Sequence, residues 1–472
     1  MNASKFYLIA VFATAAAAAA PATGGTGACD AGGSDSPMAS ASKALQAPVS
    51  TMPAQSRFIH STPGEEYPPY GELPKELWPF SNVEPYYRYF VTRMPFRGPG
   101  RDYPAPTDLK SLPIGLVDAP RGGANWERSV RTREGIVLAI EEANQERRQG
   151  ELPFDLIEHE GIAQWGGAAN LAAQLADEKV LGYLGTIDGT DAHVALRVTL
   201  KTEIVMVNTS DPDQTLTETQ IPWLIRVLPD HRQEEGRIIE LVVKKYGYKR
   251  IAVLRTGDRF ARVGAHQFMD FARRLGCPAV QELLFAPGAT DISYQLGAIK
   301  ESQPDAIFLM GEPADIGRFA KQIRQAGITA RFFGTDLLME DAFLKNAGDA
   351  AEGTTFTFYF DPSRQDSLWT DFVTRFKQRW GHEPDAYAGY AYDGAQIMLH
   401  AMRIAGPNRW RIRDQVYDLD YYQGVTGWMR FDGTGSNTAP VRVVHYEHGQ
   451  RVFEPQSEFV PPSLDGTVAN AP

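Results

Sequence analysis

Short apolar stretches alternate with amphipathic stretches from residue 112 to about residue 360. The run PIGLV at 113–117 predicts a buried strand, and the next segment, 131–148, carries its apolar residues at helical spacing. Similar strand–helix pairs continue to a strand predicted at 204–207, and a second set begins near residue 232. Strands that alternate with helices of this length indicate βαβ units around a parallel sheet. The pattern therefore predicts an α/β fold with two lobes of like topology.

The pattern changes after residue 361. Two helices, near 366–380 and 385–404, follow each other without a strand between them. Two period-two runs then flank the turn sequence Asp432-Gly433, at 425–431 and 441–446. An Asp-Gly turn between such runs predicts a β-hairpin.

The amino terminus has the pattern of a secretory signal peptide. Lys5 precedes an apolar run at 6–12, and an alanine tract continues to Ala22. We therefore expect residues 1–22 to direct export. The run TGAC that ends at Cys29 has the small residues of a lipoprotein box, although Thr26 replaces the usual leucine, so Cys29 is a candidate for lipidation. With Cys277 as the second of two cysteines, no disulfide framework is predicted.

Three further segments lie outside the regular α/β pattern. Residues 23–57 are rich in Ala, Gly, Ser and Pro and predict a flexible linker. Residues 58–110, the strap, combine recurrent prolines with many aromatic residues, which predicts an extended segment lying against another surface. The strap either packs on the folded body, which we favour, or offers a docking surface to a partner. Residues 455–472 are predicted to be a loose tail.

Composition and charge exclude several classes of protein. Among 472 residues, 47 are Lys or Arg and 58 are Asp or Glu, which gives a net charge of −11. A surface of that sign repels phosphate backbones, so no nucleic-acid partner is expected. The mean hydropathy is −0.31, and past residue 22 no apolar run reaches the length that spans a bilayer. We therefore expect a protein that is not integral to the membrane.

Catalytic and cofactor motifs are absent from the sequence. It has no G-x-S-x-G elbow, no H-E-x-x-H helix and no phosphate-binding loop of the Walker type. His445 and His448 lie close together, but no cysteine is near them to complete a zinc site. The sequence therefore indicates no enzyme, no cofactor and no metal.

The loops that follow the predicted strands are small, polar and rich in carboxylates. In open parallel sheets, ligands bind outside the carboxyl ends of the strands. Helix N-termini there can hold an anion and carboxylates can hold a cation, although a single Asp, Ser or Thr before a helix is more often an N-cap. Six such loops at one edge nevertheless favour a binding cleft: 118–126, 186–191, 208–213, 255–260, 310–313 and 335–336.

The chain from about residue 112 to residue 450 resembles the type I periplasmic solute-binding proteins of ABC importers, specifically the leucine/isoleucine/valine-binding family. The resemblance rests on short stretches in a fixed order: IGL at 114–116, AIEEAN at 139–144, LGT at 184–186, IVMV at 204–207, IRV at 225–227, RIAVL at 250–254, QPDAI at 303–307, IRQAG at 323–327, AEG at 351–353, YAYDGA at 390–395 and GVTG at 424–427. Each stretch is weak alone, but their order and spacing are specific.

The resemblance implies a two-lobe clamp in which each lobe is a parallel sheet with helices on both faces. Lobe 1 would comprise 111–228 and 361–423, and lobe 2 would comprise 229–360 and 424–454. Three crossovers would join them, near 228–231, 359–363 and 423–426. The family catches a small ligand between the lobes, and the closed form docks on a membrane permease.

The resemblance also implies the ligand-binding residues. The positions that hold an amino acid's carboxylate fall on Gly189, Thr190, Ser210, Asp211 and Pro212. The acid that holds the ammonium of the ligand falls on Asp336. Two positions that are aromatic in the family fall on Glu312 and Phe260. Trp126 lies near a third aromatic position.

Three of these positions depart from the family pattern. A hydroxyl position has become Pro212, and Asp211 and Glu312 add negative charge. The departures favour a ligand that is more cationic than leucine, such as an amine, an amide or a basic amino acid; a metal ion is a remoter alternative. Arginines at 255, 259 and 262 could offset the added acids.

We therefore expect an exported, non-catalytic protein that captures a small polar ligand and delivers it to an ABC-importer permease. The alternative is a sensory or partner-docking module on the same fold.

Overall fold

The computed structural model describes residues 57–60, 73–78, 91–93, 96 and 98–461. The predicted signal peptide, Cys29 and the predicted linker up to residue 56 lie outside the described residues.

The elements of the described chain follow the predicted alternation. The strands are β1 (Phe58–His60), β2 (Leu112–Val117), β3 (Phe154–Ile157), β4 (Gly182–Gly185), β5 (Met206–Asn208), β6 (Leu224–Arg226), β7 (Ile251–Arg255), β8 (Gln281–Leu284), β9 (Ala306–Met310), β10 (Arg331–Gly334), β11 (Thr355–Phe358), β12 (Leu419–Gly424), β13 (Gly427–Arg430), β14 (Arg442–Glu447) and β15 (Gln450–Phe453). The α-helices are α1 (Trp126–Gln145), α2 (Gly167–Asp177), α3 (Gly189–Thr202), α4 (Thr215–Glu218), α5 (His231–Glu240), α6 (Arg259–Arg274), α7 (Ser293–Ser302), α8 (Pro313–Gln325), α9 (Asp341–Ala347), α10 (Ser367–Trp380), α11 (Ala386–Ala405) and α12 (Arg409–Tyr417). Single turns of 3₁₀-helix lie at Lys75–Leu77, Pro99–Asp102, Asp336–Met339 and Gly348–Ala351, and α5 continues as a π-helical turn, Leu241–Lys245.

The first lobe is built on a five-stranded sheet with the order β3-β2-β4-β5-β6, in which every neighbouring pair is parallel. Its strands are buried because helices cover both faces. Ile114 and Leu116 of β2 pack in the cluster that includes α1 and α11, whereas Val117 packs with Leu171 and Leu175 of α2. This alternation is the period-two pleat of a strand buried on both sides.

The second lobe is built on a seven-stranded sheet with the order β15-β14-β11-β10-β9-β7-β8. Strands β7 to β11 are parallel, but β14 and β15 join β11 as an antiparallel hairpin. The predicted two-lobe α/β fold is therefore confirmed, while the second sheet is mixed rather than wholly parallel.

The predicted hairpin between 425–431 and 441–446 is wrong in its pairing. Strand β13 pairs with β12, and both belong to a small sheet with the order β1-β12-β13. The turn between β12 and β13 is fixed because the Asp393 carboxylate in α11 accepts hydrogen bonds from the N–H groups of Val425 (2.8 Å) and Thr426 (3.0 Å). The chain consequently joins the second-lobe sheet only at β14.

The described parts of the strap pack on the body of the protein. Leu73 and Leu77 are buried in the second-lobe cluster with residues of α5 and α6. Phe96 lies edge-on to Trp223 of the first lobe, with ring centroids 4.9 Å apart. The segment also contributes the extended strand β1 to the small sheet.

The first hinge connection is held by a buried ion pair. Arg226 at the end of β6 lies 2.7 Å from Asp230, and both side chains are shielded from solvent. Asp230 also caps α5, accepting the N–H of Arg232 at 2.9 Å, while its own N–H donates to the side chain of Gln233 in a capping box. Helix α5 therefore begins at a fixed position beside the cleft.

Candidate functional site

The carboxyl ends of the strands in both lobes face a common cleft, and ion pairs cross it. Arg128 of α1 lies 3.0 Å from Glu312 and 3.0 Å from Glu340, both in the second lobe. Arg259 at the start of α6 lies 2.6 Å from Asp213 in the first lobe. These contacts show the two lobes closed against each other.

The first turn of α3 uses its backbone donors internally. The Asp188 side chain caps the helix and accepts a hydrogen bond of 2.7 Å from the N–H of Thr190. Gly189, the first helical residue, is buried, and Thr190 is half-buried. Asp188 is therefore an N-cap of α3. Fewer backbone N–H groups at this helix terminus remain available to bind a ligand carboxylate.

The loop after β5 is similarly closed on itself. Asp211 donates its N–H to Asn208 Oδ1 at 3.2 Å, and Asp213 donates its N–H to Asp211 Oδ1 at 3.0 Å. Ser210 is buried with its hydroxyl 3.0 Å from that of Thr132 in α1, and Pro212 has no N–H to give. The loop therefore uses its backbone donors internally, and it carries the buried carboxylate of Asp211.

Gly189 and Asp211 lie close together in the structure. A Cβ at Gly189 would lie 2.9 Å from Asp211 Oδ2 and 2.9 Å from Asp213 Oδ2, so glycine permits the two loops to approach this closely. The Oδ2 atom of Asp211 is buried and has no hydrogen-bond partner among the described residues.

Two of the sequence-predicted residues of the second lobe lie inside the cleft and one lies at its rim. The Phe260 ring is half-buried and edge-on to His231, with centroids 4.9 Å apart. Asp336 is buried and donates its N–H to Glu234 Oε1 at 3.2 Å. Glu312, by contrast, has a side chain that is 48% exposed and pairs with Arg128, so it belongs to the rim.

Trp126 is the first residue of α1 and is half-buried, two positions before Arg128. Arg128 itself was not among the residues that sequence reasoning singled out, because a lone arginine on a charged helix face gives no signal of a partner in the other lobe.

Sequence reasoning also missed a group of buried ionisable side chains at the start of α5. His231, Glu234 and Glu235 are all fully buried. His231 Nδ1 lies 3.2 Å from Glu235 Oε1 and 3.9 Å from Glu234 Oε2. Together with Asp211 and Asp336, these three residues form what we call the hinge cluster.

The side chains of the hinge cluster have strongly shifted pKa values. Burial, reinforced by Asp213, raises the pKa of Asp211 well above its usual range, and burial together with Asp336 and Glu235 does the same for Glu234. Burial raises the pKa of Glu235 to about 7 despite the attraction of His231. Burial alone would lower the pKa of His231, but the surrounding carboxylates outweigh it and raise it to about 9.

The three arginines that could have offset the acids do so to different extents. Arg259 pairs with Asp213 and, with hydrogen bonds from Thr215, lowers the pKa of Asp213 despite its burial. Arg255 pairs instead with Glu282, and Arg262 is exposed. None of the three arginines therefore pairs with Asp211 or Asp336.

A large cavity lies away from the hinge cluster. It has a volume of about 1300 Å³ and is lined by residues of β1, α1 and α11, including Phe58, Glu142 and His400. No residue of the hinge cluster lines it. The chemistry of the cleft, and not the size of this cavity, identifies the candidate site.

The described part of the chain has no recognisable metal-binding group and no membrane-spanning helix. No group of three or more His, Cys, Asp or Glu side chains there is arranged to hold a metal ion. None of its helices has the length and apolar character needed to cross a membrane.

Comparisons with known proteins agree with this geometry. A family model described as "Periplasmic binding protein" matches residues 111–451. The "Leu/Ile/Val-binding protein homolog 2" of Brucella abortus (strain 2308) is 22% identical over 351 residues, covering 73% of this chain and 92% of that protein.

Solved structures show the same architecture. The leucine-binding protein LivK of Thermotoga maritima superposes with a TM-score of 0.66 at 24% identity, covering 73% of this chain and 98% of that one. The substrate-binding protein LivJ of Streptococcus pneumoniae, solved with isoleucine, gives a TM-score of 0.64 at 21% identity, covering 73% of this chain and all of that one.

Proposed function

Because this chain belongs to the periplasmic binding protein family, we propose that it is exported and captures a small polar solute between its two lobes without altering it. The Brucella relative is named for leucine, isoleucine and valine binding, and the pneumococcal structure contains isoleucine. Membership of the family and the predicted signal peptide both support a periplasmic location, with Cys29 as a candidate lipid anchor.

The observation that carries the choice of ligand is the distribution of charge in the cleft. Asp336 supplies a buried carboxylate on the second-lobe side, and Asp211 supplies another on the first-lobe side. The neighbouring backbone N–H groups already donate to Asp188, Asn208 and Asp211. The site therefore favours an amine- or amide-like ligand over one with a free carboxylate.

Of the candidate site residues, we assign Asp336, Asp211 and Phe260 to the ligand surface. Gly189, Thr190 and Ser210 shape the first-lobe wall, while Trp126 and Glu312 lie toward the rim. A ligand held by both lobes stabilises the closed form, and the closed form is the one that would dock on an ABC-importer permease.

The alternative of a sensory or docking module depends on the strap. In the described part of the chain, the strap packs on both lobes, through Leu73 and Leu77 in one and Phe96 in the other. These contacts support self-packing of the segment, so we give transport precedence over docking.

Thermal-shift measurements on the exported protein test the proposal. A ligand of the folded state raises the melting temperature because stabilisation grows as RT ln(1 + [L]/Kd). The panel contains leucine, lysine, 1-aminobutane, putrescine, acetamide and Ca²⁺. We expect amines or amides to raise the melting temperature more than leucine does; a panel in which leucine gives the largest shift contradicts the proposed ligand class.

A matched pair of variants locates the site. Asp336→Asn removes a buried carboxylate of the cleft, whereas Asp349→Asn removes an exposed one in the same lobe. We expect the shift caused by the amine to be lost in the first variant and kept in the second. An equal shift in both variants would place the ligand outside the cleft.

A further inference from the structure

We propose that the ligand is an organic cation with two positively charged nitrogen groups, such as a short aliphatic diamine, held between a negative pole on each lobe. This inference rests on the proposed function and narrows its ligand class. Asp211 forms the pole of the first lobe, and Asp336 with Glu234 forms the pole on the second-lobe side of the hinge.

The first pole is a carboxylate with no ion-pair contact among the described residues, although the more distant His231 acts to lower its pKa. Asp211 is 2% exposed, and its Oδ2 has no hydrogen-bond partner among the described residues. The nearby Arg259 guanidinium contacts Asp213 at 2.6 Å and Thr215 at 2.9 Å instead. A buried carboxylate oxygen left in this way gains most from an ammonium donor.

The second pole is a pair of carboxylates. Glu234 Oε1 accepts the N–H of Asp336, and Thr357 donates to the same oxygen at 3.4 Å. The remaining oxygens, Glu234 Oε2 and Asp336 Oδ1, are buried and have no hydrogen-bond partner among the described residues, although His231 lies 3.9 Å from Glu234 Oε2. Two neighbouring buried carboxylates cannot both be ionised at low cost unless a further cation lies beside them.

A buried histidine nitrogen in the cluster points to a ligand independently of the acids. The His231 Nε2 atom is buried and lacks a hydrogen-bond partner in the described part of the chain. Tyr359 follows β11 at the second connection between lobes and lies close to Asp336. Unsatisfied buried polar atoms at one place are rare in folded proteins and mark a site that something else completes.

The charges of the cluster favour a ligand with two positive groups. Arg259 offsets Asp213, and His231 offsets Glu235. Arg128 faces Asp336, but its donors contact Glu312, Glu340 and Asn125. His231 also lies 3.9 Å from Glu234 and interacts with Asp211 and Asp336, so one imidazolium faces Asp211, Glu234, Glu235 and Asp336. A single added ammonium group leaves part of this negative charge uncompensated.

When no cation is bound, protons on these carboxyl groups neutralise part of their negative charge. Burial raises the pKa of Asp211, Glu234 and Asp336, so these carboxyls hold protons more readily than they do in water. A bound dication lowers those pKa values again, and binding must therefore release protons. A monoamine or a zwitterion displaces fewer protons than a diamine.

Isothermal titration calorimetry on the full exported chain tests the inference. Putrescine, 1-aminobutane, leucine and Ca²⁺ are titrated in two buffers whose ionisation enthalpies differ, so that released protons appear as a difference in heat. We expect putrescine to bind at least about tenfold more tightly than 1-aminobutane and to release more protons. Equal affinities for the two amines, or tightest binding of Ca²⁺, would overturn the inference.

Variants separate this inference from the proposed function. Asp211→Asn removes the first pole and should bring the affinity for putrescine down to that for 1-aminobutane, while Asp349→Asn leaves the preference intact. Glu234→Gln is the second variant should Asp211→Asn fail to fold, and it should reduce the same preference. If leucine or 1-aminobutane binds in the cleft but putrescine does not, the inference fails and the proposed function stands; if no member of the panel binds, the proposed function fails with it.

Discussion

Arg259 in the second lobe donates a hydrogen bond of 2.6 Å from its Nε atom to Asp213 Oδ2 in the first lobe. The Asp213 side chain is 2% exposed and that of Arg259 is 25% exposed, so the pair is largely shielded from water. The same guanidinium also contacts Thr215 at 2.9 Å. Because opening the lobes separates these residues, the pair acts as a latch on the closed form.

Removing the latch should shift the protein toward open conformations. Arg259→Gln leaves Asp213 buried without its cation, which we expect to cost the closed form about 1–2 kcal/mol, because the pair is partly exposed. Small-angle X-ray scattering should show a larger radius of gyration for this variant than for the wild type. Arg262→Gln, on the exposed face of the same helix, is the control, and identical scattering from both variants would contradict the latch.

Stability should fall as the pH rises because of His231. Its pKa in the folded protein, about 9, lies above the ordinary value of 6.5. Protonated His231 therefore stabilises the folded protein fully below pH 6.5. This contribution to the free energy of unfolding, about 3 kcal/mol, is lost as the pH rises through 9. Urea unfolding across this range should show the decline in the wild type and in His266→Gln, which changes an exposed histidine, but a shallower decline in His231→Gln. Parallel curves for all three proteins would exclude this role for His231.

The strap should contribute to the stability of the second lobe through Leu77. This side chain is fully buried in the cluster that contains Phe268 and Phe271 of α6. Leu77→Ala should lower the free energy of unfolding by about 2–4 kcal/mol, because truncation leaves a cavity. Glu76→Ala changes an exposed neighbour and should have an effect below about 0.5 kcal/mol. Equal effects of the two substitutions would show that the strap does not pack as described.

Glycine at position 189 should be necessary for the closed first-lobe wall. Gly189→Ala places a methyl group 2.9 Å from carboxylate oxygens of Asp211 and Asp213, and we expect a loss of about 1–3 kcal/mol in stability together with weaker amine binding. Gly297→Ala is the control, since no atom lies within 4 Å of the added Cβ in α7, and it should stabilise the protein by about 0.5–1 kcal/mol. Chemical unfolding and calorimetry of the two variants check both expectations.

Much of the fold could be predicted because each parallel strand is a short apolar run with a characteristic position. Strand β7, for example, is buried at all five residues, as its sequence IAVLR suggests. The partner of β13 could not be predicted in this way. A period-two run indicates a strand but not which strand pairs with it. The pairing here depends on Asp393, which fixes the turn between β12 and β13 and lies 32 residues away from Val425 along the chain.

The candidate site was predictable only in part. Residues that follow strands, such as Asp211 and Asp336, are recognisable because the carboxyl ends of parallel strands gather at one edge. Glu234 and Glu235 are not, because charged residues on an amphipathic helix ordinarily face solvent. Their burial arises from the hinge, where Asp230 fixes the start of α5 beside the second-lobe sheet, and no local pattern reports that position.

Hydrogen–deuterium exchange tests most directly the claim that a ligand is held between the lobes. It compares the protein alone with the protein in the presence of the panel compound that raises its melting temperature most. The account predicts slower exchange at 208–213 in the first lobe and at 335–336 in the second lobe together. Slower exchange in one lobe alone, or only around the outer cavity near His400, would contradict it.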